Sequence, residues 1–253
     1  MAWFIHYLSL ALATINDWTG SLGIAIILFT LVIRLVLLPV TLPSIKAQKK
    51  IQDLKPELDV LKKKFKDDKA GFQKAQLDLY KKYNINPLAG CLPQLAQFGV
   101  LIALYQTFLS LLKQPTFNGI ELHLQLGWLD LSQPDSLYIL PVLAAVTQLI
   151  LSVMLMPVTE IKDEVSNKSK KLKVIEKNKK EEDTAEMAAT MQQQMLYMMP
   201  IMTGFFAIKF PAGLSLYWVI TTVFSIVQQY MISGPGGLET YYKRAKLLLK
   251  IKT

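Results

Sequence analysis

A chain of 253 residues that is 52% hydrophobic, with a net charge of +9, is too apolar for an ordinary soluble domain. Its charge is segregated between apolar blocks of membrane-crossing length, which reads as a record of orientation in a membrane and against binding to DNA or RNA. The single cysteine, Cys91, excludes an internal disulfide framework and a cysteine-built metal site.

In chain order, residues 1–21 read as an N-terminal segment ending in a turn at Asn16, Asp17 and Gly20. Trp3 to Ile15 is apolar and aromatic but too short to span, so it is either an interfacial helix or a packed N-terminal extension. A basic n-region is missing before Arg34, so no cleavable signal peptide is expected.

Leu22 to Pro43 has about the ~20 apolar residues that a spanning helix needs, with one charge, Arg34, near its middle. A central Arg costs about 2.5–3.5 kcal/mol on insertion scales, so it requires water or an acceptor inside the membrane. Pro39 and Pro43 mark the predicted exit of this first span (22–43). Residues 44–86 follow with twelve Lys against six acidic residues, and read as a solvated helical hairpin. The positive-inside rule makes it cytoplasmic and the N-terminus external.

A second span falls in 87–113, with Gln94, Gln97 and Tyr105 along one face. The segment 114–136 has acidic residues and no Lys or Arg, as an external loop should. The third span, 137–158, carries Gln148 and Ser152 one turn apart, and 159–194 is a second cytoplasmic loop, either partly helical or disordered. A fourth span (195–210) is weakened at Pro200, an external turn occupies 211–213, and a fifth span fills 214–233. The basic tail, 234–253, is again cytoplasmic. The pattern therefore predicts an all-α polytopic membrane protein with five spans, N-outside and C-inside, and a cytoplasmic helical hairpin.

Ser215, Trp218, Thr222, Ser225 and Gln229 make a polar stripe along the fifth span. No Asp or Glu lies within any predicted span, so Arg34 has no ion-pair partner there. Together with Thr30, Gln94, Gln97, Gln148 and Ser152, that stripe predicts an aqueous groove between spans with Arg34 as its positive floor. Ordinary interhelical bonding is the simpler account of two or three of these residues. Met195, Met198 and Met202 continue a run from Met187 and Met191 at helical spacing, suited either to varied apolar substrate or to plain packing. No phosphate loop, HExxH or GxSxG motif occurs, and His6 and His123 lie outside the spans, so neither an enzyme nor a cofactor is indicated.

Several stretches resemble the YidC/Oxa/Alb family of membrane protein insertases. These are ILFTLVIRLVLLPVTLPSIKAQKK around Arg34, NINPLAGCLPQLAQF from Asn84, LGWLDLSQPDSLYILPVLAA from Leu126, and MMPIMTGFFAIKFPAGLSLYW with FSIVQQYMI from Met198 to Ile232. The resemblance implies a five-span core with a hydrophilic groove open to the cytoplasm and to lipid, the family's Arg at Arg34 and its groove aromatic at Trp218. It departs at Gln97-Phe98-Gly99, where the family often has Gln-Met-Pro, and at Leu151, where a polar residue is frequent. The large external domain of many members is absent, as expected of the compact type. The implied location is the bacterial plasma membrane, ahead of the thylakoid or mitochondrial inner membrane. The implied partners are nascent membrane proteins and lipid, with the ribosome, targeting machinery and the Sec translocon. A channel or small-solute transporter, or a non-translocating assembly factor, are the competing functions.

Overall fold

The computed structural model describes residues 2–65, 68–85, 92–111, 116–156 and 198–240, with 242 and 246. The second cytoplasmic loop, Cys91, Met187, Met191, Met195 and most of the basic tail lie outside the described residues, as does the side chain of Gln94. Helices run in the order α1 (Ala2–Thr19), α2 (Leu22–Val36), α3 (Leu38–Asp53), α4 (Lys55–Lys64), α5 (Lys69–Lys82), α6 (Leu92–Leu111) and α7 (Ile139–Leu155). α8 (Met198–Lys209) and α9 (Ala212–Ser233) follow, with residues 237–240 again helical. Between α6 and α7 stand two antiparallel hairpins, β1 (Thr116–Phe117) with β2 (Ile120–Glu121) and β3 (Gln125–Leu126) with β4 (Leu129–Asp130).

One apolar core joins α1, α2, α6, α7, α8 and α9 through Leu12, Leu22, Phe108, Ala144, Ala207 and Leu214. Helix α1 is therefore a packed element, with Ser9 Oγ at 3.4 Å from Ser110 Oγ on α6. Its opposite side leaves Trp3, Tyr7 and Trp18 exposed. Asn16 and Asp17 lie inside this helix rather than in a turn, and only Gly20, at φ +68°, turns the chain. Asn16 is buried and donates from Nδ2 to Glu121 O at 2.7 Å, while its Oδ1 accepts from His123 N at 3.1 Å.

The predicted straight first span is broken. α2 and α3 meet at Leu37 with a bend of 68°. Pro39 explains the break, because it has no N–H for the carbonyl of Leu35 and its ring crowds that carbonyl. Nor does the chain leave the helix at Pro43: α3 carries it on through the apolar boundary to Asp53, so the hairpin proper is α4 and α5 on an α3 stalk. Asp68 caps α5, its Oδ1 accepting from Gly71 N at 2.9 Å. Tyr83 Oη donates to Glu57 Oε1 at 2.7 Å across the hairpin, and that bond raises the phenol above the ordinary tyrosine value.

Among the described residues no single helix is long and apolar enough to cross a membrane, while the bent α2–α3 pair is by length and composition. α9 has 22 residues, or ~33 Å, so length is not what it lacks. Ser215, Thr221, Thr222, Ser225, Gln228 and Gln229 make it too polar.

At one end of the bundle the strand segment closes over the helices. Leu22 N donates to His123 O at 3.0 Å, Ala212 N to Gln133 O at 2.7 Å and Gly213 N to Leu131 O at 3.1 Å. At the other end α3 ties down its neighbours. Gln52 Nε2 donates to Leu155 O, at the end of α7, at 2.7 Å, and Lys49 Nζ reaches Ile232 O, near the end of α9, at 3.4 Å. The chain after α9 passes under α7, where Gly236 sits at φ +53° and a Cβ would collide with Met154 O. Gly236→Ala adds the αL penalty of about 1–2 kcal/mol to a clash with backbone. It is expected to free residues 237–240 from α7, seen as faster amide hydrogen exchange there with α9 unchanged.

Candidate functional site

α2, α3, α6, α7, α8 and α9 line a partly open cavity of about 340 Å³. Its walls differ in chemistry. α2, α3 and α9 contribute Arg34, Thr41, Gln48, Trp218, Ser225 and Gln229, whereas α6, α7 and α8 contribute mainly Phe98, Leu101, Leu151, Met202 and Phe206. Arg34 is the one charged side chain among the described lining residues.

Arg34 is not at the middle of a continuous helix but in the last turn of α2, just before the break. There its charge opposes the negative end of the α2 dipole, a stabilising placement. It also has a protein acceptor. Nη2 donates to Gln97 Oε1 at 2.7 Å, and Gln97 Nε2 donates in turn to Tyr217 Oη at 2.9 Å. The sequence offers Arg34 no carboxylate within the predicted spans, and the acceptor is a carboxamide instead. A carboxamide meets the guanidinium without introducing a compensating charge, so the cavity stays electropositive.

A hydrogen bond to a charged group contributes about 1.5–3 kcal/mol. Gln97→Leu strands both Arg34 and Tyr217, so a loss of that order is expected in thermal unfolding of the detergent-solubilised protein. Gln97→Glu, which keeps an acceptor for Arg34, is expected to lose less.

Of the residues singled out in the sequence, Arg34, Gln97, Gln148, Trp218, Thr222, Ser225, Gln229 and Met202 line the cavity. Others lie elsewhere. Thr30 and Ser152 are buried outside the lining, Thr30 returning its hydroxyl to Ile26 O at 2.6 Å. Ser215 binds Ala207 O on α8 at 3.1 Å, which is helix-to-helix bonding. Met198 is exposed and outside the lining, and the positions of Met195 and the Gln94 side chain are not among those described.

The sequence reading missed Tyr217, Thr221 and Gln228, and left out of the site Thr41, which falls on the helical face of Thr30 and Arg34. Gln228 Nε2 donates to Thr41 Oγ1 at 2.9 Å, both buried, joining α9 to α3. Tyr217, Thr221 and Gln228 follow i, i+4 and i+11, a second stripe beside the one that was read. The two adjoining stripes widen the polar face of α9.

The family model described as 60Kd inner membrane protein matches residues 14–236. The chain belongs to that family. The relative named membrane protein insertase YidC 2 from Bacillus anthracis is 38% identical, across 92% of this chain and 80% of its own. Membrane protein insertase YidC of Fusobacterium nucleatum is 31% identical across 92% and 96%. Membrane protein insertase MisCA of Bacillus subtilis is 34% identical across 91% and 78%. The resemblance to the YidC/Oxa/Alb family is thereby borne out, as is its bacterial, multi-pass cell-membrane location.

A crystal structure described as active YidC insertase, with its first transmembrane domain resolved, superposes with a TM-score of 0.60 at 22% identity. It covers 89% of this chain and 45% of the other, and shows that the largely helical fold is shared.

Proposed function

We propose that the chain inserts nascent membrane proteins into the bilayer, holding the polar end of a substrate in the cavity while its apolar segment passes into lipid. The observation carrying this reading is the two-faced cavity, mainly apolar along α6, α7 and α8 and more polar along α9, with Arg34 as its only described charge. In this reading the bent α2–α3 pair, α6, α7, α8 and α9 are the five spans, N-outside and C-inside. The strand segment closes the outer end and the hairpin stands in the cytoplasm.

Water and Arg34 solvate the polar segment part-way across, and acidic residues are favoured over basic ones. The apolar segment then leaves because lipid suits it better, at about 25 cal/mol per Å² of apolar surface removed from water. Membrane potential assists an acidic tail moving outward. That drive requires no nucleotide. The basic α4–α5 hairpin and the tail meet the ribosome, targeting factors, the Sec translocon or anionic headgroups.

The test is reconstitution into liposomes with a ribosome-stalled single-span substrate, and a photocrosslinker in place of Trp218. Protein-dependent insertion with crosslinks to the polar tail is expected. Solute flux without insertion would make the chain a channel or transporter. Insertion that proceeds equally without the protein, and without crosslinks, would leave only an assembly role.

A further inference from the structure

The lining of the cavity is largely bonded within the protein. Arg34 binds Gln97, Gln228 binds Thr41, and the hydroxyls of Thr222 and Ser225 return to Trp218 O and Thr221 O at 2.9 and 3.0 Å. Two lining residues are different, Thr221, whose Oγ1 has no hydrogen-bond partner among the described residues, and Gln229. Gln229 carries the stronger unmet demand: it is 2% exposed, and its Nε2 has no partner among the described residues. A buried carboxamide nitrogen with two N–H groups calls for an acceptor.

What a passing polypeptide offers there depends on its conformation. The carbonyls of a helix are taken by the N–H groups four residues on, whereas those of an extended segment are open to an outside donor. Gln229 follows Tyr217, which shares Gln97 with Arg34, by twelve residues of α9, or ~18 Å.

We infer that the polar segment held in the cavity is extended, with a main-chain carbonyl on Gln229 and an acidic side chain drawn to Arg34. Five residues of extended chain, at ~3.4 Å each, bridge the two points. Gln229 thus reads backbone, which every sequence has, and Arg34 reads charge. A segment that becomes helical satisfies its own carbonyls and loses its hold on Gln229, which favours release. The inference rests on the insertase reading above.

The experiment walks a single cysteine along the tail of a stalled substrate and measures disulfide formation with Trp218→Cys and, separately, Ser225→Cys. The two baits lie seven residues apart on α9, or ~10.5 Å. An extended tail places its two crosslinking maxima about three residues apart. Maxima about seven residues apart would mean a helical tail, overturning the inference and leaving the insertase reading intact. Crosslinks at neither bait would overturn both.

A second arm uses Gln229→Leu with neutral tails of equal length, one Gly/Ser-rich and one Ala-rich and helix-forming. Insertion of the first is expected to fall several-fold and of the second less than twofold, with the thermal unfolding midpoint retained. Equal loss for both tails would overturn the role of Gln229.

Discussion

Arg34→Glu is expected to reduce insertion of a substrate with an acidic translocated tail by more than tenfold, and of a neutral tail much less. Protease protection of the translocated tail in proteoliposomes is the measurement. Two like charges ~4 Å apart at an effective dielectric near 20 repel by about 4 kcal/mol, and about 1.4 kcal/mol already makes a tenfold difference. The substitution also turns an acceptor toward Gln97 Oε1, so the carboxamide must flip and its bond to Tyr217 is recast. Arg34→Lys keeps the charge and loses the planar fork, and is expected to fall between the two. Equal loss for acidic and neutral tails would remove the electrostatic role and spare the cavity.

The largest effect on the fold is expected at Gly213. Its backbone abuts the core, where a Cβ would meet Phe108 Cε1 at 2.7 Å and Ile26 Cδ1 at 3.3 Å. Phe108 is fully buried and has nowhere to move. Gly213→Val is therefore expected to cost about 1–3 kcal/mol by overpacking. It also disturbs the Gly213 N to Leu131 O bond that holds the strand segment over the bundle. Gly99 on α6 is the control, because a Cβ there meets nothing within 4 Å. Gly99→Ala is expected to leave stability unchanged or raise it by up to about 1 kcal/mol. Thermal unfolding in detergent separates the two, and equal losses would contradict the packing argument.

How much of this could be read in the sequence depended on the kind of signal. Apolar blocks marked the stretches in which α6, α7, α8 and α9 lie, because hydropathy over a long run averages out local irregularity. The break at Leu37 was harder, since the apolar block runs through it, and Pro39 had been read as an end rather than a bend. The strand hairpins had a local signal that went unused. Asn118 and Gly119, at φ +50° and +81°, are the Asn-Gly pair that a two-residue hairpin turn favours.

In the cavity, Arg34, Gln97 and Trp218 were legible because polar groups in an apolar run stand out. Tyr217, which meets Gln97 from outside the lining, was not, being one residue off the stripe that runs through Trp218. Ser215 and Thr30 erred in the opposite direction. Periodicity puts a hydroxyl on a face, but only packing decides whether it meets a cavity, a neighbouring carbonyl or its own helix.

The bend at Leu37 makes α3 a lever. Its near part supplies Thr41, Ile45 and Gln48 to the cavity wall, and its far part grips the ends of α9 and α7 through Lys49 and Gln52. Gln48 lies eleven residues beyond the fulcrum, or ~16 Å. A swing of ~10° about Leu37 therefore carries it sideways by ~3 Å, about the width of one atom layer in the wall.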